Sequence, residues 1–148
     1  MDSVAVELRL EFLRKLDYLH LTTSVSRLIC ETIKNVRLPT HFVDEVELAV
    51  SEACTNAVKH SSDIEAHASS KVGIVFRVFE TKLVIEVRDR GKGFRLDEVP
   101  LPEFDQHPER GYGVYIIQRM MDEVQYTQND DYNTLTMTKY IANRGETL

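Results

Sequence analysis

The apolar and polar positions of this chain fall into runs whose periods assign most of the secondary structure. Val4, Val6, Leu8 and Leu10 recur at every second position, with Glu7 and Arg9 between them, which is the period of a half-buried strand. Leu21, Val25, Leu28, Ile29 and Ile33 recur at helical spacing and predict a helix over Tyr18 to Val36. Pro39-Thr40 breaks that run, with Thr40 as the expected N-cap of a second helix. In that helix, Phe42 to His60, the residues Phe42, Val43, Val46, Val50, Ala53 and Ala57 trace one face.

Beyond a polar stretch, Ser61 to Ser70, two β-rich runs follow, Val72 to Phe79 and Leu83 to Arg88. Glu80-Thr81-Lys82 separates them, so they read as a hairpin. Gly91 and Gly93 end the second run. Arg95 to Arg110 carries Pro100, Pro102 and Pro108 and little periodicity, and a loop of that length in a compact domain is usually functional. Tyr112 to Met121 returns to helical spacing. Val124 to Thr127 and Leu135 to Ile141 read as two closing strands around a polar turn. Hairpin-joined strands with separately grouped helices predict an α/β (α+β) two-layer sandwich. Its sheet is expected to be mixed but mostly antiparallel, with helices packed on one face. A doubly wound parallel sheet is disfavoured by the same order.

Composition narrows the function classes. The 148 residues predict a single domain, 1–148. A net charge of -6 argues against non-specific nucleic-acid binding, which needs a basic face. No apolar run approaches the ~20 residues that cross a bilayer, and Met1-Asp2-Ser3 does not open a secretory signal. A cytoplasmic chain with no membrane contact is expected, with Cys30 and Cys54 as buried reduced thiols.

Three groups of residues carry chemistry. Glu52 and Asn56 lie one helical turn apart on one face of the second helix. The Asn56 amide oxygen is a hard ligand suited to Mg²⁺, and Glu52 can accept a proton from an attacking hydroxyl. A solvated helix face is the simpler explanation of that pair taken alone. Asp89, with Gly91 and Gly93, follows the second strand of the hairpin. A strand-end carboxylate can accept a hydrogen bond from an exocyclic amine, and the glycines allow close backbone approach. Alone it is a capped turn. Arg110-Gly111-Tyr112-Gly113-Val114 opens the short helix, where free N–H groups can cradle phosphate and Arg110 can pair with a phosphate oxygen. Alone it is a glycine-flanked helix start.

In their order and spacing these groups resemble the histidine-kinase-like ATPase superfamily and its Bergerat ATP-binding fold. Among its members the chain looks most like the small serine protein kinases that act as anti-sigma factors. The resemblance rests on Glu47-Leu-Ala-Val-Ser-Glu-Ala-Cys-Thr-Asn-Ala-Val-Lys-His60, Val87-Arg-Asp-Arg-Gly-Lys-Gly-Phe94 and Arg110 to Val124, the last ending Met-Asp-Glu-Val. It implies Glu52 as catalytic base, Asn56 as Mg²⁺ ligand and Asp89 as the acceptor for the adenine amine, with Gly91 and Gly93 beside it. It implies an ATP lid at about 95–110. Arg110, Gly111, Tyr112, Gly113 and Val114 would form the phosphate cradle, and Thr134 would help hold adenine. Asn133 stands where the family usually has glycine, a position Asn can fill in a left-handed turn. The implied cofactors are ATP and Mg²⁺. The implied partners are an anti-anti-sigma type regulatory protein as phosphoacceptor, a sigma factor and a second copy of the chain. A non-catalytic ATP-binding partner-switch or phosphatase-activating module would share the same site. A catalytic fragment of a sensor histidine kinase fits less well, because no phosphoacceptor hairpin precedes the domain.

Overall fold

The computed structural model describes residues 2–34, 36–59, 70–90 and 112–141. Its elements, in chain order, are β1 (Val4–Leu13), a 3-10 turn (Leu16–Tyr18), α1 (Leu19–Glu31), α2 (Phe42–Lys59), β2 (Lys71–Phe79), β3 (Lys82–Asp89), α3 (Tyr112–Met120), β4 (Glu123–Gln128) and β5 (Asn133–Tyr140). The five strands form one sheet in the order β1-β2-β3-β5-β4. Among the described residues all its pairings are antiparallel, in keeping with the mostly antiparallel sheet expected. Two tight hairpins, β2–β3 and β4–β5, each reverse the chain. The return from β3 through α3 and β4 brings β5 back alongside β3 in the opposite sense.

One face of the sheet is apolar because the strands alternate. Val72, Ile74, Phe76 and Val78 of β2, Leu83, Ile85 and Val87 of β3, and Leu135 and Met137 of β5 point to the helices. They meet Phe42, Val46, Ala49, Val50, Ala53, Cys54 and Ala57 of α2, with Ile29 and Cys30 of α1 and Ile117 of α3. Each large side chain fully buried there contributes roughly 1.5–3 kcal/mol of hydrophobic stabilisation. The other face carries a charged row in which Arg77 donates to Glu7 (2.7 Å) and to Glu86 (2.8 Å), and Arg88 donates to Glu86 (2.8 Å). An antiparallel sheet can leave one face to solvent in this way.

Burial pushes the Cys54 thiol up to about 12 and the Cys30 thiol up to about 11, and both cysteines are unpaired. Deprotonation is what makes a thiol nucleophilic, so both act as packing groups. The Met-Asp-Glu-Val segment also has a structural explanation. Met121 is 4% exposed, Asp122 accepts from the Tyr140 N–H (2.7 Å), and the Asp122 N–H donates to the Thr138 carbonyl (2.9 Å). That turn locks α3 onto the β4–β5 hairpin.

Two helix ends differ from the periodicity. Helix α1 stops at Glu31, not Val36. The Thr32 hydroxyl donates to the Ile29 carbonyl (2.7 Å), and the Ile33 N–H donates to the Cys30 carbonyl (3.1 Å). These three-residue bonds tighten the last turn and end the helix although Ile33 and Val36 continue its apolar spacing. At α2, the chain enters the helix through His41 rather than Thr40. His41 has φ 71°, and its carbonyl accepts from the Glu45 N–H (2.8 Å). A side chain is strained at that φ and glycine is not. His41→Gly is expected to raise stability by about 1 kcal/mol, which is about 3 °C in Tm for a domain of this size. A urea or thermal melt checks this, and a lower midpoint would assign His41 a stabilising contact that outweighs its strain.

Candidate active site

The α2 helix carries Glu52 and Asn56 on a half-buried flank between its core face and solvent. The α3 helix packs against this flank, and Gly113 lies directly on it. A methyl group built on Gly113 would sit 3.0 Å from Glu52 Oε2, 3.1 Å from Asn56 Nδ2 and 3.2 Å from Asn56 Oδ1. The carboxylate and the carboxamide therefore converge on one point at the N-terminal turn of α3. Backbone N–H groups in that first turn have no partner within the helix and carry its positive partial charge. A carboxylate, a carboxamide and an anion-attracting helix end share one spot, and glycine is what lets them approach.

The opposite end of α3 is pinned. Lys139, buried on β5, donates to the Met120 carbonyl (2.5 Å) and to Glu45 Oε2 of α2 (2.5 Å), and its ammonium lies 5.5 Å from the Phe42 ring centroid. A cation at a helix C-terminus complements the dipole. Here it also ties α3 to α2, which holds Gly113 over Glu52 and Asn56.

Asp89 ends β3 on the helix-facing side of the sheet, in step with the buried Val87. Its register partner is Asn133, the first residue of β5, and the Asn133 amide donates to Asp89 Oδ1 at 3.1 Å. Asn133 is 4% exposed and Asp89 is half-buried, so the contact is part-buried, at the border of the core. Among the described residues His41 is the one non-glycine residue with positive φ, so Asn133 is not a left-handed stand-in for glycine. It is a strand residue whose side chain faces Asp89. Thr134 is turned the other way. Its register partners are Arg88 and Thr127, so its side chain belongs to the outer, charged face of the sheet. Strand alternation is the cause: Leu135 and Met137 point inward, Asn133 shares their phase, and Thr134 does not.

Of the remaining expected site residues, Tyr112 is half-buried in the first turn of α3 and Val114 is 8% exposed, facing the core. Gly91, Gly93, Arg110, Gly111 and the expected lid at 95–110 lie outside the described residues, as does His60. Among the described residues no group of three or more His, Cys, Asp or Glu side chains could hold a metal ion, so a site made of side chains alone is not offered. Asn56 with a phosphate-bearing ligand fits Mg²⁺ better, because that ion keeps much of its shell from water and phosphate oxygens. At Gly113 the Glu52 and Asn56 side chains already take the place a β-carbon would need, so glycine is what allows the close approach. No helix among the described residues is long and apolar enough to cross a membrane.

The fold is that of a histidine kinase-like ATPase domain, and the chain belongs to that family, whose sequence pattern matches residues 16–139. Among its relatives, the chain is similar to the serine-protein kinase RsbW of Bacillus subtilis (strain 168). The two are 38% identical over 107 residues, covering 67% of this chain and 65% of that protein. The serine-protein kinase RsbW of Oceanobacillus iheyensis is 33% identical over 109 residues, covering 68% of this chain and 66% of the relative. The matched region thus spans about two thirds of these relatives' length. The fold also matches the crystal structure of the RsbU and RsbW domains of a Mycobacterium tuberculosis protein. The TM-score is 0.67 at 15% identity, covering 91% of this chain and 32% of that one. A blue-light activated histidine kinase of Erythrobacter litoralis matches with a TM-score of 0.54 at 19% identity, over 84% of this chain and 60% of that one.

Proposed function

We propose that this chain is an ATP-dependent serine/threonine protein kinase that phosphorylates a small regulatory protein of the anti-anti-sigma type and sequesters a sigma factor. The observation that carries the reading is the convergence of Glu52 and Asn56 on Gly113 at the start of α3. A domain that only held ATP would have no use for a carboxylate at that point. The serine-protein kinase names of the relatives point the same way.

In this reading Asp89 accepts a hydrogen bond from the adenine amine, and the first turn of α3, Tyr112 to Val114, receives phosphate oxygens. Asn56 would hold Mg²⁺ through its amide oxygen, and the ion, when bound, would neutralise charge on the phosphates. Glu52 accepts the proton of the substrate hydroxyl as its oxygen attacks the γ-phosphorus, and the bond from that phosphorus to the bridging oxygen of ADP breaks. Such transfers depend on positioning and charge stabilisation more than on covalent chemistry. Gly91, Gly93, Arg110 and Gly111 complete the nucleotide contacts. Incubation with γ-labelled ATP, Mg²⁺ and an anti-anti-sigma type protein of the same organism tests this: label is expected on a serine or threonine of the partner. ATP binding without transfer to any such partner would leave the non-catalytic reading in its place.

The same reading places the protein in the cytoplasm as a homodimer. Val4 and Leu8 on the edge strand β1 are 44% and 38% exposed, and Leu21 and Leu28 on α1 are 44% and 59% exposed. A second copy would cover these apolar groups and the open edge. Light scattering is expected to give twice the 17.1 kDa chain mass, and a monomer at micromolar concentration would remove the homodimer from the proposal.

A further inference from the structure

We infer that Asn133 is a positioning and specificity residue for the nucleotide, acting by holding the Asp89 carboxylate in the orientation that reads an adenine amine. The inference rests on the reading of Asp89 given above. Asn133 is almost wholly buried at the start of β5, on the apolar side of the sheet, where the following residues of the same phase are Leu135 and Met137. Packing alone would favour an apolar residue there, since burying an amide costs free energy unless it is hydrogen-bonded. The Asn133 amide donates to Asp89 Oδ1, at 3.1 Å, across the β3–β5 pairing.

The chemistry of that bond has one direction. An ionised carboxylate only accepts, so the amide must turn its nitrogen toward Asp89. Holding Oδ1 fixes the plane of the carboxylate, and with it the place of Oδ2. An accepting carboxylate discriminates between purines, because adenine offers an amine where guanine offers a carbonyl oxygen. Two acceptors facing each other leave both unpaired, which is how a site built for one polar pattern rejects the other. Asn133 thereby selects ATP over GTP without touching either.

Three variants and their double mutants test this by calorimetric titration with ATP and GTP, alongside kinase assays. Asn133→Leu is expected to weaken ATP binding about tenfold, the size of a lost hydrogen bond to a charged group. The ATP-to-GTP preference should fall with it, and most of the kinetic loss should appear in KM for ATP rather than in kcat. Asn133→Asp keeps the shape and replaces the donor with an acceptor, so it should lose ATP at least as strongly even if the leucine variant folds poorly. Asn133→Ser restores a short donor and should recover part of the preference. In a cycle with Asp89→Asn, the effect of Asn133→Leu should vanish once Asp89 is changed. Normal ATP binding and preference in Asn133→Leu, beside a crippled Asp89→Asn, would overturn the inference alone. Normal ATP binding in Asp89→Asn would overturn the adenine reading and this inference together.

Discussion

Gly113→Ala is expected to lower phosphotransfer about tenfold while changing stability by no more than about 1 kcal/mol. The added methyl would lie 3.0 Å from Glu52 Oε2 and 3.1 Å from Asn56 Nδ2, tighter than most real contacts of a β-carbon, so the neighbours must give by a few tenths of an ångström. Either α3 moves away or both side chains turn, and each response takes the base and the amide off the point on which they converge. A displacement of about 1 Å at a reacting centre costs about 100-fold, so a smaller shift is expected to cost about tenfold. Alanine inside a helix is favoured over glycine by about 1 kcal/mol, which offsets part of the steric cost in the melt. A variant that loses activity while keeping its Tm would locate the function at this contact. Full activity would show that nothing of consequence occupies the space beside Gly113.

Glu52→Gln removes the carboxylate proposed as the base and keeps the shape. Transfer to the protein substrate is expected to fall by about 10²–10⁴, the range that a positioned general base supplies. ATP affinity should stay within a few-fold of the parent, because Asp89 and α3 rather than Glu52 hold the nucleotide in this account. Comparing single-turnover transfer with ATP titration of the same preparation separates the two effects. A loss of ATP binding equal to the loss of transfer would make Glu52 a ligand or folding residue instead. Unchanged transfer would remove it from the chemistry.

The elements legible in the sequence are those in which local pattern and tertiary role coincide. The α2 helix is the clearest, since six residues read as its inner face are in or against the core, and Ala49 and Cys54 extend that face. The β2–β3 hairpin runs as its alternation predicts, with Asp2 fastening the turn through the Glu80 N–H (3.0 Å) and the Thr81 hydroxyl (2.6 Å). Legibility fails where a side chain competes with the backbone or where the partner is remote in sequence. Thr32 ends α1 by taking a carbonyl that the apolar spacing leaves in the helix. Entry to α2 passes through His41, although Thr40 is the better capping residue by type.

At the site, the one-turn spacing of Glu52 and Asn56 is visible in the chain, but their meeting with Gly113 is a product of α2–α3 packing. Asn133 is the residue that sequence reading missed. Treated as a substitute for glycine, it draws attention to the turn and to Thr134. The phase of Leu135 and Met137 is the signal that could have placed its side chain beside Asp89.

Calorimetric titration of the purified protein with ATP, with and without Mg²⁺ and with GTP as comparison, tests the central claim most directly. Saturable binding of ATP that strengthens with Mg²⁺ and exceeds that of GTP is the expected result. No ATP binding under either condition, or equal binding of ATP and GTP, would contradict it.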